Sequence, residues 1–278
     1  MSKACIIGWP VAHSRSPLIH GYWLRRYAID GSYGKQPVPP GEVAAFLDRL
    51  RAQGFVGCNV TVPHKEAALA AARRQSPAAR AVGAANTLWY EEGELACDNT
   101  DAAGFMSHLA AAAPAFRPQA CARACVLGAG GAARAVIHAL LGAGVKSVAL
   151  VNRTPTRGDR VAAFFGPRVK AYAWSDANAC AREAQILVNA TTLGMHGTQP
   201  GLEIDLTGLE AGSVVADLVY VPLVTPLLAA AKARGLVAVD GLGMLLHQAV
   251  PGFEKWFGVR PEVTAELRAV LIADIERH

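Results

Sequence analysis

The sequence has no hydrophobic run long enough to cross a membrane. Apolar residues make up 52% of its 278 residues, but glycine, proline and charged residues break them into short stretches, whereas a membrane-spanning helix needs about 20 mostly apolar residues. The first residues, MSKACIIG, enter a strand pattern directly and differ from a signal peptide. We therefore expect no membrane association and a cytoplasmic location. The length suits two domains, each with a substantial core.

The sequence also lacks the cysteine and charge patterns of metalloproteins, disulfide-rich proteins and nucleic-acid-binding proteins. Its six cysteines form no C-x-x-C pair, and no histidine stands beside them at metal-ligand spacing. We expect buried, reduced thiols and no metal site. The net charge of +5 is spread along the chain without a basic block, so we expect no nucleic-acid partner. The positive excess only mildly favours anionic ligands.

Strands and helices alternate along the chain, which predicts an α/β fold with two domains. Residues 1–104 are expected to form an open α/β substrate domain with a mainly parallel sheet, in which Ser16-Pro17 begins a helix with Ser16 as its N-cap. Two strands around Glu91-Glu92-Gly93-Glu94 are predicted to form a hairpin. Residues 105–242 are expected to form a second, Rossmann-like, doubly wound domain, of the type that binds dinucleotides. The helices predicted within residues 243–278 have no strand to pair with, so we expect them to pack back on the first domain.

A glycine-rich turn marks the predicted cofactor site. Gly128-x-Gly130-x-x-Ala133 lies between a predicted strand and a predicted helix, which is the context of the dinucleotide-binding fingerprint. The backbone N–H groups at this helix start are expected to face the phosphates of the cofactor. Without that context the same pattern also occurs as a packing turn. The predicted phosphate-binding residues are Gly128, Ala129, Gly130, Gly131 and Ala132.

The segment after the next predicted strand favours NADP over NAD. An acidic residue there would bind the ribose 2′-hydroxyl of NAD, but this chain has Asn152-Arg153-Thr154 and, one turn later, Arg157. Guanidinium groups can bind a 2′-phosphate instead, with Asn152 and Thr154 as neutral hydrogen-bond partners. Solvated surface arginines are the alternative. Thr191 and Leu218 follow two further strands, at the sheet edge where ligands bind, and are also assigned to the cofactor.

Polar residues at strand ends of the first domain predict the substrate site. Ser14 and Ser16 stand at a helix start and can direct hydroxyl and N–H groups at a carboxylate. Lys65 lies in the first turn of a predicted helix, where the helix dipole disfavours a cation, which suggests a functional task. Asp101, at the start of another helix, offers it a carboxylate partner. A surface lysine and an ordinary aspartate at a helix start remain the alternatives.

Seven motifs, in the same order from Gly8 to about Gly252, resemble the shikimate dehydrogenase family. The matching stretches are Gly8 to Pro17, Asn59 to Lys65, Gly83 to Leu88, Asn99-Thr100-Asp101, Gly128 to Ala133, Asn152-Arg153-Thr154 and Gly241 to Leu245. The resemblance implies reversible reduction of 3-dehydroshikimate to shikimate by NADPH, in the pathway that makes aromatic amino acids. It implies a small-molecule substrate and NADP as the cofactor.

The resemblance also implies a role for each matching polar residue. Lys65 and Asp101 become the catalytic pair. The implied substrate-binding residues are Ser14 and Ser16 at the carboxylate, Thr61, Asn86 and Gln248 at the hydroxyls, and Tyr220 between substrate and cofactor. Gly241, in the last motif, is assigned to the cofactor.

The chemistry of the reaction suits a lysine. A ketone that accepts a hydride builds alkoxide charge, so an ammonium group beside the oxygen stabilises that charge and can deliver a proton. The reverse reaction needs the same group as a base. The carboxylate of Asp101 would keep Lys65 protonated and burial would act in the opposite direction, so we expect the two groups to titrate as a coupled unit.

Other functions remain open at this point. A quinate/shikimate dehydrogenase with broader substrate or NAD use has the same fold, and a small packing difference that separates the two substrates is worth only about 1 to 3 kcal/mol; Arg153 argues against NAD. A binding module that senses NADP without catalysis is a second alternative, against which Lys65, Asp101 and Asn86 argue. A purely structural protein ranks last. The assembly is expected to be a monomer or a homodimer.

Overall fold

The computed structural model describes residues 2–195 and 202–277, and the chain divides into two compact units. The first unit consists of Met1–Gly104 and Leu245–Asp274, and the second of Phe105–Met244 and Ile275–His278. Each unit contains one sheet with helices packed on it, so the predicted α/β fold class is confirmed. Within the described part of the chain, every helix is too short or too polar to cross a bilayer.

The first unit is built on a six-stranded sheet of mainly parallel strands. Its strands are β1 (Ser2–Gly8), β2 (Gly31–Pro37), β3 (Phe55–Val60), β4 (Arg74–Gln75), β5 (Thr87–Glu91) and β6 (Glu94–Asp98), in the order β2-β1-β3-β5-β6-β4. β1 pairs in parallel with both β2 and β3, whereas β5 is antiparallel to β3 and to β6. The predicted hairpin is present, and both turn residues, Glu92 and Gly93, have positive φ, as its two-residue turn requires.

Helices pack on this sheet, and the second unit has helices of its own. In chain order they are α1 (Ser16–Arg26), α2 (Val43–Arg49), α3 (Lys65–Ala71), α4 (Pro77–Val82), α5 (Asp101–Ala112), α6 (Gly131–Gly142), α7 (Pro155–Phe165), α8 (Ala177–Arg182), α9 (Pro226–Ala233), α10 (Leu242–Phe257) and α11 (Ala265–Arg277). The core of the first unit includes residues from β1, β3, α2 and the hairpin, such as Ile7, Leu47 and Leu88.

The C-terminal helices return to the first unit, as predicted. Trp256 on α10 donates from Nε1 to the carbonyl oxygen of Leu88 at 2.9 Å, and Phe253 is fully buried against Trp23 of α1. A Cβ atom at Gly57 would lie 2.2 Å from both the Leu88 oxygen and Trp256 Nε1. A glycine in β3 therefore allows α10 to pack closely against the sheet.

The second unit is a doubly wound parallel sheet, as predicted. Its strands are β7 (Arg123–Leu127), β8 (Ser147–Asn152), β9 (Val169–Ala173), β10 (Ile186–Asn189), β11 (Val214–Asp217) and β12 (Val237–Val239), in the order β12-β11-β10-β7-β8-β9. All five pairings are parallel. The strand order reverses between β7 and β10, and ligands of such sheets bind at that point, beyond the carboxyl ends of the strands.

Some local predictions were wrong. Ser16 is not the N-cap of α1 but its first residue; Arg15 occupies the cap position without a side-chain hydrogen bond, and Ser14 Oγ accepts the hydrogen bond from Ser16 N instead. The short strand β4 and the edge strand β9 were not predicted. β9 is exposed on much of its length and alternates polar and apolar residues, so it lacks the continuous apolar pattern of the central strands.

Candidate functional site

In the first unit, the ends of neighbouring strands bring the predicted catalytic residues together. β5 runs antiparallel to β3, so it begins at the edge where β3 ends. β6 returns to the same edge, and α5 begins there with Asp101. α3, which follows β3, begins with Lys65 at this edge. Lys65, Asn86 and Asp101 are therefore neighbours in space.

Lys65 and Asp101 form a partly buried ion pair. Lys65 Nζ donates to Asp101 Oδ2, and the two side chains are 14% and 5% exposed. Lys65 is the first residue of α3, where the helix dipole opposes a cation, whereas Asp101 is the first residue of α5, where the dipole favours a carboxylate. Asp101 therefore offsets the unfavourable position of the lysine at the start of α3.

Asn86 connects this pair to the C-terminal helix α10. Its Nδ2 lies 2.9 Å from Asp101 Oδ1, 2.9 Å from Thr100 Oγ1 and 3.1 Å from Gln248 Oε1. Its Oδ1 accepts a hydrogen bond from Thr100 N at 2.8 Å. Asn86 and Gln248 are buried. The structure thus brings together four of the predicted site residues, although Asn86 and Gln248 are 162 positions apart in the chain.

The two serines and Thr61 follow β1 and β3, which are neighbours in the sheet. Ser14 and Ser16 are buried, and Ser16 N donates to Ser14 Oγ at 3.3 Å. Thr61 N donates to the carbonyl oxygen of Ile7 at 2.9 Å. A Cβ atom at Gly8 would lie 2.4 Å from Thr61 Cγ2, so glycine allows the threonine to approach the end of β1. All three predicted residues therefore belong to the same sheet edge as Lys65.

Basic groups lie near the segment that carries Ser14 and Ser16, which we call the serine segment. Arg15 forms an ion pair with Asp274 at 2.6 Å, and Lys35 Nζ donates to the carbonyl oxygen of Ala12. Burial lowers the pKa of His13, and the charges of Lys35 and Arg15 lower it further. The positive potential that disfavours protonation of His13 also favours an anionic ligand near Ser14 and Ser16.

In the second unit, the glycine-rich turn leaves room beside the start of α6. Gly128 has φ of +99° and lies so close to the loop after β10 that a Cβ atom would be 3.1 Å from the Ala190 oxygen. Gly130 is the N-cap of α6 and has no side chain to accept from the first helical N–H groups. A Cβ atom at Gly130 would have only Arg157 Nη2, at 3.9 Å, within 4 Å. These N–H groups, which include those of Gly131 and Ala132, can therefore bind a phosphate.

The loop between β8 and α7 carries the predicted arginines. Arg153 and Thr154 are exposed, and Asn152 Nδ2 donates to the carbonyl oxygen of Thr154 at 2.9 Å. Arg157 Nε donates to the carbonyl oxygen of Ala129 at 3.0 Å. That bond ties the arginine loop to the glycine turn, which places guanidinium groups next to the open helix start. A 2′-phosphate is the group of a dinucleotide that suits this position.

The remaining predicted cofactor residues lie on two loops that a buried carboxylate joins. Asn189, at the end of β10, accepts from Thr191 N and Thr191 Oγ1 and donates to Asp217 Oδ1 at 2.8 Å. Asp217, at the end of β11, also accepts from Val219 N at 3.0 Å and Thr225 Oγ1 at 2.7 Å. Burial raises the pKa of Asp217 to about 6, although all three donors oppose that rise.

Gly241 packs against the second of these loops. A Cβ atom at Gly241 would lie 2.3 Å from the carbonyl oxygen of Leu218. Tyr220 follows two residues later in the same loop and is half-buried. Thr191, Leu218 and Gly241 thus meet at the carboxyl end of the second sheet. Tyr220 belongs to this second unit, whereas the other predicted substrate residues belong to the first.

Sequence reasoning gave no role to several polar residues behind the site. Tyr33 donates to Asn59, and Asn59 donates to Thr87. Asn189 and Asp217 join the two loops that carry predicted cofactor residues. One signal was available: a polar residue inside an apolar strand is costly to bury without a partner. Asn59 in β3 and Asn189 in β10 both fit that description.

Three family models match successive parts of the chain. The shikimate dehydrogenase substrate binding domain matches residues 6–88, shikimate / quinate 5-dehydrogenase matches residues 110–196, and the shikimate 5'-dehydrogenase C-terminal domain matches residues 241–271. Two curated relatives are named shikimate dehydrogenase (NADP(+)). The one from Rhodopseudomonas palustris is 57% identical over 98% of this chain and 96% of its own length, and the one from Azorhizobium caulinodans is 54% identical over 99% and 97%.

Solved structures are similar over the whole chain. Shikimate 5-dehydrogenase from Thermus thermophilus, in complex with NADP(H) and shikimate, is 38% identical and has a TM-score of 0.83 over 100% of this chain and 99% of its own. Quinate dehydrogenase from Corynebacterium glutamicum, in complex with NAD, is 28% identical with a TM-score of 0.87 over 98% and 99%. From its family models and from relatives that align along almost its full length, this chain belongs to the shikimate dehydrogenase family.

Proposed function

We propose that this chain catalyses the reversible reduction of 3-dehydroshikimate to shikimate by NADPH, with Lys65 and Asp101 as its acid–base pair. The observation that carries the proposal is the ion pair between Lys65 and Asp101, which Asn86 holds in place through its hydrogen bond to Asp101. A cation that is fixed at a sheet edge, with amide and hydroxyl groups around it, suits a substrate whose carbonyl becomes a hydroxyl.

Lys65 acts on the oxygen of the reacting carbon. In the reducing direction its ammonium group donates a hydrogen bond to the carbonyl oxygen and then transfers the proton to it, so the carbonyl group becomes a hydroxyl group on the same carbon. In the oxidising direction the neutral amine removes that proton. Asp101 accepts a hydrogen bond from Lys65 Nζ and so fixes its direction. Asn86 and Gln248 bind hydroxyl groups of the ring, and Ser14 and Ser16 bind its carboxylate.

The second unit offers the groups that would hold NADP. The N–H groups at the start of α6 bind the pyrophosphate, and Arg153 and Arg157, with Asn152 and Thr154, bind the 2′-phosphate. When bound, NADPH supplies the hydride. Thr191, Leu218 and Gly241 form the rest of the edge that the nicotinamide half would contact. The names of the curated relatives and the NADP(H) complex of the Thermus enzyme support this choice of cofactor.

The quinate dehydrogenase relative, which binds NAD, makes quinate the main competing substrate.

The experiment is to follow NADPH absorbance with purified protein and shikimate plus NADP, and to repeat it with NAD and with quinate. We expect shikimate and NADP to be turned over fastest. We expect Lys65→Ala to lower kcat by about a hundredfold or more, because general acid–base catalysis contributes on that scale. Lys146→Ala, which changes an exposed lysine of the second unit, is the control and should retain full activity.

Other outcomes would redirect the proposal. A preference for quinate or NAD would move the chain to the quinate/shikimate branch of the family. Binding of NADP without turnover of either substrate would point to a sensing module that has lost catalysis. If Lys65→Ala kept wild-type activity, the acid–base role would have to pass to another group.

The compartment and the assembly are part of the proposal. All six cysteines are buried and unpaired, which suits a reducing compartment such as the cytoplasm. A monomer or a homodimer, with no nucleic-acid partner, agrees with the modest, dispersed net charge. Light scattering on the eluted protein with and without NADP measures the assembly directly, and a mass above that of a dimer would contradict this part.

A further inference from the structure

Tyr33, on β2, is hydrogen-bonded to a buried amide behind the proposed substrate site. Its Oη donates to Asn59 Oδ1 at 2.6 Å. An amide oxygen can only accept a hydrogen bond, so the phenol proton is committed to Asn59. Burial raises the pKa of Tyr33, and the nearby Ser16 side chain opposes that rise. Tyr33 therefore lies near Ser16 and is bonded to the amide of Asn59.

From Asn59 the hydrogen bonds continue to the acid–base pair. Asn59 Nδ2 donates to Thr87 Oγ1 at 3.2 Å and to the carbonyl oxygen of Asn86 at 3.1 Å. Thr87 Oγ1 donates to Asn86 Oδ1 at 3.1 Å. The amide oxygen of Asn86 accepts from Thr100 N as well as from Thr87 Oγ1, so its Nδ2 faces Asp101 Oδ1 at 2.9 Å. The donors thus run in one direction from Tyr33 to the carboxylate that holds Lys65.

The ring of Tyr33 is held in a fixed position. It stacks on His20 with the ring centroids 4.0 Å apart, and His20 also contacts the rings of Phe253 and Trp256 at 5.8 and 5.6 Å. His20 is fully buried, and burial lowers its pKa to about 3, so it is neutral in the working pH range. A neutral imidazole packed among aromatic rings holds the phenol ring in place without adding a charge.

We propose that Tyr33 is a positioning residue for the reaction, which orients Asn59 and, through it, the amide of Asn86 beside the Lys65–Asp101 pair. The proposal rests on the proposed function. It adds a role for a residue outside the seven family motifs and for the buried polar chain behind the site.

Tyr33→Phe is the direct test, because it keeps the ring and its stacking but removes the donor to Asn59. Asn59 Oδ1 then loses this bond in a buried position, which weakens the preference for the present orientation of the amide. We expect kcat for shikimate oxidation to fall about tenfold, with KM for NADP unchanged within about twofold. The pH at which kcat is half-maximal should shift by about half a unit or more, since the donor to Asp101 is perturbed. Tyr90→Phe, which alters another partly buried tyrosine of the same sheet, is the control.

A second pair of variants interrupts the series of hydrogen bonds from Tyr33 to Asp101 one step later, at Thr87. Thr87→Val removes the hydroxyl between Asn59 and Asn86, and Thr87→Ser keeps it. We expect the valine variant to reproduce the change in kcat and in pH profile, and the serine variant to restore both. Because the two positions act through one series of hydrogen bonds, the Tyr33→Phe/Thr87→Val double variant should lose little more activity than the more impaired of the two single variants.

Wild-type protein is assayed first, which separates this proposal from the proposed function. If the wild type turns over shikimate and Tyr33→Phe keeps its kcat and pH profile, Tyr33 has no positioning role and the proposal is overturned. Additive losses in the double variant would overturn it as well. If Tyr33→Phe fails to fold, the comparison of Thr87→Val with Thr87→Ser decides. A wild type without any turnover would instead contradict the proposed function.

Discussion

Asp217 is buried at the end of β11, and its carboxylate accepts hydrogen bonds from Asn189, Val219 and Thr225. Burial nevertheless raises its pKa from an ordinary 3.8 to about 6. Between these values the folded protein binds a proton that the unfolded chain does not bind. The contribution of Asp217 to the free energy of unfolding therefore falls as the pH rises from about 4 to about 6, by at most about 3 kcal/mol.

We predict that Asp217→Asn becomes more stable relative to the wild type as the pH rises through this range. The amide carries no charge, so the variant lacks the cost of ionising a buried group, and its oxygen can still accept from Asn189. Urea unfolding of both proteins at several pH values between 4 and 7 measures the difference.

Asp205→Asn is the control for this prediction. Hydrogen bonds from Thr207 hold the pKa of the Asp205 carboxyl below its usual value, so its ionised form is favoured in the folded protein. Its contribution to stability is lost only below about pH 4, as the pH falls toward the lowered pKa, so the stability of the control relative to the wild type should be nearly constant between pH 4 and 7. If the stability of Asp217→Asn relative to the wild type is independent of pH, the three donors outweigh burial and Asp217 is ionised throughout.

At the level of single residues, predictability depended on how a residue departs from its local pattern. Lys65 was predicted because a lysine in the first turn of a helix is locally unfavourable, and Ser14 and Ser16 because hydroxyls at a helix start have a known use. Tyr33 gave no such signal, since an aromatic residue in a strand is ordinary. Its partner lies 26 positions away, on a different strand.

Among the elements, the start of α6 is the one whose proposed role is easiest to separate from stability. Gly130 has an extended backbone that other residues can adopt, and its missing side chain leaves open space. A methyl group there disturbs little of the protein, but it would occupy the space beside the N–H groups that are proposed to bind the pyrophosphate.

We predict that Gly130→Ala changes the free energy of unfolding by less than about 0.5 kcal/mol, as expected for a substitution without a new contact. KM for NADP should rise about tenfold or more, a loss of about 1.4 kcal/mol of binding, with KM for shikimate unchanged. Steady-state kinetics and urea unfolding measure the two effects. Gly142→Ala, at the other end of α6 and also in open space, is the control. Equal KM values for NADP in Gly130→Ala and wild type would mean that the pyrophosphate does not bind at the start of α6.

Elements were predicted best where the pattern is continuous. The buried strands β7, β8, β10 and β11 and the hairpin followed from apolar runs and turn residues. β9 did not, because an edge strand is only half covered and keeps polar residues. The N-cap of α1 was misplaced by one residue because Ser14, and not Ser16, supplies the hydroxyl that accepts from a backbone N–H at this helix start.

For the whole molecule, the two compact units predict separate responses to the two ligands. The proposed NADP groups lie in the second unit, and the proposed acid–base pair, Lys65 and Asp101, lies in the first. A ligand at about 100 times its Kd stabilises the structure that binds it by about 2.7 kcal/mol. Amide hydrogen exchange can locate that stabilisation along the chain.

We predict that NADP alone slows exchange most in residues 128–135 and 152–158, and that shikimate alone slows it most in residues 59–66 and 84–101. NAD at the same concentration should protect residues 152–158 less than NADP does, because it has no 2′-phosphate for the arginines to bind. The experiment is hydrogen exchange followed by mass spectrometry, with quinate as a matched control for shikimate. Protection of the first unit by NADP and of the second by shikimate would reverse the proposed assignment of the sites.

The fold class, the family and the types of residue at the site could be read from the sequence alone, because these depend on signals between close neighbours: alternating strands and helices, glycines in one tight turn, and short polar motifs at strand ends. How those motifs meet follows only from the tertiary structure. The strand order β2-β1-β3-β5-β6-β4 places Lys65 beside Asp101, and α10 brings Gln248 to Asn86. Such contacts join residues that are far apart in the chain, so they depend on which strands pair and in which direction, and no local pattern contains that information.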